Sequence, residues 1–139
     1  DMPARIRDAA SRAGQPAPGS DSAVVRCILE SLALKTRAVI ETLETLTGPV
    51  NRIHVVGGGS KNHVLCQWTA DACGKPVLAG PVEATAAGNV MVQAMAQGRV
   101  ASLTQVREVV RASVESRAYE PRETGRWNDA FATLRSDPA

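Results

Sequence analysis

Three consecutive glycines, Gly57, Gly58 and Gly59, follow directly on a short β-branched segment at residues 52–56 and precede a stretch with helical spacing. A short apolar, β-branched run predicts a buried strand. Glycines after a strand let the backbone approach a ligand, because no Cβ stands in the way. The helix behind them would direct its free N–H groups and the positive end of its dipole at the glycines. The pattern predicts either a phosphate-binding turn or a tight strand-to-helix turn without a ligand.

Proline and glycine positions divide the rest of the chain into further elements. The predicted elements are a helix over residues 1–13 capped by Asp1, a long helix from Asp21 or Ser22 to Gly48, a helix capped by Ser60 and ending at Gly74, a strand at residues 76–79, helices at residues 84–97, 102–114 and 125–135, and a loop through residues 119–121. Strands that alternate with helices predict parallel pairing and right-handed crossovers. The expected fold class is α/β, helix-rich, with a short parallel strand pair.

Two predicted strands are too few for a stable sheet. The sequence also opens at Asp1 with a stretch typical of the middle of a protein. We therefore expect residues 1–139 to be a single domain cut from a longer protein, with partner strands supplied from elsewhere. In the long helix, we expect one apolar face to pack inward, formed by Val25, Ile28, Leu29, Leu32, Val39, Ile40 and Leu43.

Composition and charge argue against several classes of protein. The hydrophobic content of 44% and the net charge of +2 are ordinary for a globular protein. The late arginines are interspersed with acids, so we expect no nucleic-acid partner. There is no run of 18 apolar residues, so we expect no membrane span. Cys27, Cys66 and Cys73 are odd in number and irregularly spaced, which argues against disulfides or zinc and favours a cytoplasmic setting.

Few other residues stand out as candidates for chemistry. Asn62 falls in the first turn of the helix after the glycines, and its amide both donates and accepts hydrogen bonds, which suits the edge of an adenine. His54 and His63 are expected to be structural, because no Ser or Cys partner pattern accompanies them. Thr85 and Asn89 share a side of their helix and would contact either a ribose or a neighbouring strand; both alternatives remain open.

At residues 56–71, Val-Gly-Gly-Gly-Ser-Lys-Asn-His-Val-Leu-Cys-Gln-Trp-Thr-Ala-Asp resembles the adenosine-binding motif of the FGGY carbohydrate kinases. The stretch at residues 80–93 resembles one branch of that family more than its xylulokinases and glycerol kinases. The resemblance runs from residue 2 to about residue 134. It implies a partial actin-like ATPase (ribonuclease-H-like) lobe, one of two that close over a sugar and ATP.

Position by position, the resemblance implies roles for single residues. Gly57 and Gly58 match the family's glycine pair, with Gly58 at the α-phosphate, and Asn62 matches the asparagine beside adenine. Gly59 completes the expected nucleotide-binding set, although family members vary at this position. Gln67 and Asp71 match motif residues with structural roles.

The catalytic aspartate, the sugar pocket and the magnesium ligands have no counterpart in these 139 residues. The branch implies transfer of the ATP γ-phosphate to the 1-hydroxyl of L-rhamnulose with Mg²⁺ by the full-length protein, and no catalysis by this piece alone. Its expected partners are the sugar, ATP and the missing N-terminal lobe, and the isolated piece could dimerise through an open sheet edge. The alternatives are another ketose or polyol kinase of the family, such as a xylulokinase-like or fuculokinase-like enzyme, and a non-catalytic nucleotide-binding or assembly module.

Overall fold

The computed structural model describes residues 1–136, in which helices surround a small sheet. In chain order the elements are α1 (Met2–Arg12), α2 (Asp21–Thr47), β1 (Ile53–Val55), a short 3-10 helix (Gly58–Lys61), α3 (His63–Cys73), β2 (Val77–Ala79), α4 (Ala84–Ala96), α5 (Leu103–Ser113), β3 (Arg117–Tyr119) and α6 (Gly125–Ser136). The predicted helix-rich α/β class is confirmed.

The sheet has the strand order β1-β2-β3. β1 and β2 are parallel, with Ile53 opposite Val77, so the predicted parallel pair is confirmed. β3 is antiparallel to β2, with Tyr119 opposite Val77. The sequence predicts a loop through residues 119–121 and does not predict this strand. Three residues are too few to show the alternating pattern by which a strand is predicted. Within residues 1–136, β1 has a neighbouring strand on one side only, so its other edge is open.

Helix caps are close to those expected. The Ala4 amide donates to the carboxylate of Asp1 at 3.4 Å, as predicted for the start of α1. At the start of α2 the cap is Ser20, whose hydroxyl accepts from the Ala23 amide at 3.2 Å, and not Asp21 or Ser22. Ser20 has the extended backbone that an N-cap requires, whereas the two residues after it are already helical.

The inward face of α2 differs from the prediction. Its buried residues are Val24 and Ala33, whereas much of the expected apolar face is exposed. Of the expected face, Ile40 packs against the buried cluster that contains Cys66 and Ala70 of α3. Ala33 shares a second buried cluster with Ala72 of α3, and this orientation of α2 leaves most of the larger residues in solvent. We call the exposed apolar row the α2 stripe; its members are Val25, Ile28, Leu32, Val39, Leu43 and Leu46.

Two buried clusters hold the elements together. One lies between α3 and the sheet and contains Ile53, Cys66, Ala70, Val77, Ala79 and Tyr119. The other joins α2, α3 and α6 through Ala33, Ala72 and Trp127, flanked by Leu34 and Trp68. Beside the second cluster, Arg37 donates to the Ala72 carbonyl at 3.1 Å and to Asn128 at 2.7 Å. Arg37 therefore bridges all three helices.

α4 and α5 carry little of the core. The one residue of α4 that is buried in the structure as described is Met91, while Val90 and Val92 are each 63% exposed. A Cβ added at Gly88 would meet no atom within 4 Å, so no close packing in the described chain requires that glycine. None of the helices in residues 1–136 is both long and apolar enough to cross a membrane.

Glu44 ties the end of α2 to the start of the sheet, and it predicts a pH effect. Its carboxylate accepts from Lys75 Nζ at 2.8 Å and from the Val50 amide at 2.9 Å. These hydrogen bonds, led by that of Lys75, lower the pKa of Glu44. A carboxyl group whose pKa is lowered by folding stabilises the fold above its unfolded-state pKa, and this contribution disappears as pH falls through the folded-state pKa.

We therefore expect Glu44→Gln to lower the free energy of unfolding at neutral pH and to have little effect in acid, where Glu44 itself is protonated. Urea unfolding of both proteins at neutral pH and below the folded-state pKa measures this. If Glu44→Gln lowered the free energy of unfolding equally at both pH values, the charge of Glu44 would play no part in its contacts with Lys75 and Val50.

Candidate functional site

The turn between β1 and α3 is built around Gly57. Its φ of 76° lies in the left-handed region, which a glycine adopts without strain. Its amide donates to the Pro81 carbonyl at 3.0 Å, and its carbonyl accepts from the Ser60 hydroxyl at 2.6 Å. The N–H and the carbonyl of Gly57 are therefore both hydrogen-bonded within the chain, and its N–H is not available to a ligand.

Gly58 and Gly59 are open. Both are exposed, and within residues 1–136 neither amide N–H has a hydrogen-bond acceptor. A Cβ added at Gly58 would meet no atom within 4 Å, and one at Gly59 would meet only Val55 Cγ1 at 3.9 Å. Packing in the described chain therefore does not require glycine at either position. Two unpaired N–H groups on bare backbone are suited to an anionic oxygen.

Asn62 is the N-cap of α3, not a residue of its first turn. Its side-chain oxygen accepts from the Leu65 amide at 3.0 Å. Ser60, the cap that the sequence predicts, does not cap α3, because it is buried and its hydroxyl donates to the Gly57 carbonyl. Within residues 1–136 no acceptor faces the Asn62 side-chain NH₂ group, so this side chain has a free donor.

The helical backbone starts at the glycines, but in two parts. The 3-10 helix begins at Gly58, and α3 follows from His63. The amides nearest the glycine turn are thus those of the 3-10 helix, and the dipole of α3 begins one short turn later. Gly58, Gly59 and Asn62 lie within this single short segment.

One edge of α3 is joined to residues 119–122 by hydrogen bonds on three successive turns. We call this arrangement the polar ladder. Within α3 itself, the buried carboxylate of Asp71 accepts a hydrogen bond from Gln67 Nε2 at 2.9 Å. The three rungs are His63 Nδ1 with the Tyr119 hydroxyl at 2.5 Å, Gln67 Nε2 donating to the Glu120 carbonyl at 2.8 Å, and the Arg122 amide donating to Asp71 Oδ1 at 2.8 Å.

Other candidate groups have ordinary surroundings. Burial raises the pKa of the Cys66 thiol and raises that of Cys73 to about 11, so neither is an activated nucleophile. Thr85 and Asn89 are exposed. The described residues contain no cluster of three or more His, Cys, Asp or Glu side chains that could hold a metal ion.

The chain is similar to known proteins over almost its whole length. A family model described as "FGGY family of carbohydrate kinases, C-terminal domain" matches residues 1–97. A rhamnulokinase of Bacteroides thetaiotaomicron is 45% identical over 132 residues, which is 94% of this chain and 27% of the relative.

Two further rhamnulokinases give similar figures. One, from Klebsiella pneumoniae, is 44% identical over 86% of this chain and 25% of its own length. Another, from Pectobacterium carotovorum, is 45% identical over 88% of this chain and 26% of its own length. The chain thus spans about a quarter of the length of the curated relatives it matches.

Proposed function

Because the chain belongs to the FGGY family of carbohydrate kinases, we propose that it is the nucleotide-binding part of the second lobe of an ATP-dependent sugar kinase. The family resemblance of residues 56–71 is confirmed, and with it the actin-like ATPase fold class. We further propose that residues 1–139 are a single domain of a longer enzyme.

The observation that carries this proposal is the pair of free N–H groups at Gly58 and Gly59. They lie exposed on bare backbone at the start of a helical segment, where a nucleotide phosphate oxygen fits without displacing any protein contact. We assign the α-phosphate chiefly to Gly58. Gly57 belongs to the site through its left-handed conformation, which shapes the turn that carries the next two amides.

Asn62 supplies the second contact in this proposal. Its oxygen is committed to capping α3, so its free NH₂ group can only donate. A donor matches the ring nitrogens N1, N3 and N7 of adenine, which are acceptors. The capping bond also fixes the side-chain orientation, so the donor is pre-organised and loses little conformational entropy when nucleotide binds.

We assign no catalytic residue to this chain. Phosphoryl transfer needs a base, the sugar hydroxyl and a metal-bound γ-phosphate held in line. We place these groups, including the magnesium ligands, elsewhere in the longer protein, because none of the 139 residues matches them. The 139-residue piece alone should bind nucleotide weakly and transfer no phosphate.

The open surfaces of the structure support a missing first part. The unpaired edge of β1 and the exposed α2 stripe are surfaces that a complete protein would cover. We propose that the remainder of the kinase, including its N-terminal lobe, covers them. In the isolated piece the same surfaces could pair two copies. We place the full-length enzyme in the cytoplasm, where ATP is available and the free cysteines stay reduced.

For the substrate we propose L-rhamnulose, phosphorylated at its 1-hydroxyl with ATP and Mg²⁺. The support is the similarity to rhamnulokinases over most of the chain, including residues 80–93. The alternatives are another ketose or polyol kinase of the family and a non-catalytic nucleotide-binding module.

An assay of ADP release by the full-length protein, with L-rhamnulose, L-fuculose, D-xylulose and glycerol, tests the substrate. We expect kcat/KM for L-rhamnulose to exceed the others by roughly tenfold or more. The 139-residue piece, assayed in parallel, should release no ADP above background. A clear preference for another sugar would reject L-rhamnulose, and binding of ADP without turnover of any sugar would favour the non-catalytic module.

A further inference from the structure

We propose that residues 119–122 position the glycine turn for nucleotide through the polar ladder, which makes Tyr119 a positioning residue for nucleotide binding. This inference rests on the proposed function of Gly58 and Asn62. It adds a segment that is remote in sequence from the glycine turn and that has no assigned role.

The ladder runs along nearly the whole of α3. Its members on the helix, His63, Gln67 and Asp71, are spaced four residues apart and so occupy one edge of successive turns. Eight residues of rise correspond to about 12 Å. Contacts at both ends and in the middle resist both sliding of α3 along its axis and rotation about it.

The partner side of the ladder is anchored in the core. Tyr119 is 6% exposed, packs in the cluster between α3 and the sheet, and lies opposite Val77 in the antiparallel pair. Its hydroxyl reaches the ring of His63, the first residue of α3, at 2.5 Å. This hydroxyl therefore adds a directional contact to the apolar packing by which the sheet holds the first turn of α3.

From His63 a short path leads to the proposed nucleotide contacts. Asn62 precedes His63 directly, and the Asn62 amide donates to the Gly59 carbonyl at 3.1 Å. The Ser60 amide in turn donates to the Gly57 carbonyl at 3.0 Å. A shift of the first turn of α3 would therefore move both the Asn62 NH₂ group and the free amides of the glycine turn.

The far end of the ladder fixes the helix at its last turns. Asp71 is 4% exposed and accepts from both Gln67 and the Arg122 amide. A buried carboxylate with two donors has one favourable position, because leaving either bond unmade is costly. The first and third rungs therefore define a single placement of α3 against residues 119–122.

The partner side of the ladder lies outside residues 1–97, which the family model matches. The match to the Bacteroides rhamnulokinase covers 94% of the chain and so includes residues 119–122. The ladder thus couples the family's glycine motif to a tail that this chain shares with rhamnulokinases, and nucleotide affinity should depend on that tail.

Tyr119→Phe in the full-length kinase tests this, because it removes the hydroxyl and keeps the buried ring. We expect KM for ATP and Kd for ADP to rise about three- to tenfold, the loss of one hydrogen bond. KM for the sugar and kcat at saturating ATP should stay unchanged. Trp127→Phe is the matched control: it removes an indole N–H that lacks a partner in the described structure, at a site off the ladder, and should leave KM for ATP unchanged.

A double-mutant cycle with His63→Ala identifies the route. If Tyr119 acts through His63, the double variant should bind ADP about as weakly as either single variant. If the effects of the two substitutions on Kd multiply in the double variant, Tyr119 does not act through its hydrogen bond to His63. An unchanged KM for ATP in Tyr119→Phe, with ADP binding weakened by Gly58→Val, would overturn this inference and leave the proposed function standing. Unchanged ADP binding in Gly58→Val would instead remove Gly58 from the site, and with it the assignment on which this inference rests.

Discussion

Replacement of Gly58 by valine should lower the affinity of the full-length enzyme for ADP by roughly 10- to 100-fold and leave the fold intact. A Cβ at Gly58 meets no atom of the described chain within 4 Å, so the new side chain begins in open space. It would cover the free amides and so prevent a hydrogen bond to a charged oxygen, which contributes about 1.5–3 kcal/mol. Isothermal titration calorimetry with ADP measures the affinity, and circular dichroism checks the fold.

Two further variants make the result specific. Gly19→Val is the matched control, because Gly19 is also exposed and a Cβ there also meets no atom within 4 Å; its Kd for ADP should equal that of the wild type. Asn62→Ser keeps a capping oxygen for α3 and removes the NH₂ donor, so it should weaken ADP binding less than Gly58→Val does. Wild-type affinity in Gly58→Val would remove Gly58 from the site.

Replacement of Trp127 by alanine should lower the free energy of unfolding of this chain by about 3–5 kcal/mol. Trp127 is 3% exposed and is the large side chain of a cluster whose other buried members, Ala33 and Ala72, are small. Its ring lies 6.0 Å from that of Trp68. Alanines cannot fill the cavity that would be left, so α6 would lose its buried contact with Ala33 of α2 and Ala72 of α3. Urea unfolding followed by far-ultraviolet circular dichroism measures the loss.

Trp127→Phe separates packing from other effects. Within residues 1–136 the buried indole N–H of Trp127 has no hydrogen-bond partner, so phenylalanine keeps most of the ring and removes an unsatisfied polar atom. This variant should cost less than about 1.5 kcal/mol. If the alanine variant were no less stable than the phenylalanine variant, α6 would not be docked through Trp127.

The local features of this fold follow from the residues nearby. The β-branched run before Gly57 predicted β1, and Gly48 and Gly74 marked the ends of α2 and α3. The predicted start of α2 was wrong because several neighbouring residues are equally suited to cap a helix. Ser20, Asp21 and Ser22 are all capping residue types, and the backbone of the folded chain chose Ser20.

The faces and long-range contacts required the tertiary structure. α2 has apolar residues on more than one face, and only its packing on α3 shows that Val24 and Ala33 are buried while the α2 stripe is not. β3 is defined by hydrogen bonds to β2, about forty residues earlier in the chain, and three residues carry too little pattern to predict it.

The sequence by itself determined the strand, the glycine turn, the helix behind it and the family, because each depends on residues within a few positions of one another or on a continuous motif. Only the tertiary structure decided which amides of that turn are free, since the Gly57 amide is bound by Pro81 and those of Gly58 and Gly59 are not. It also decided that Tyr119 meets His63, 56 residues away. Such pairs depend on how whole elements pack, and packing is a property of the complete chain.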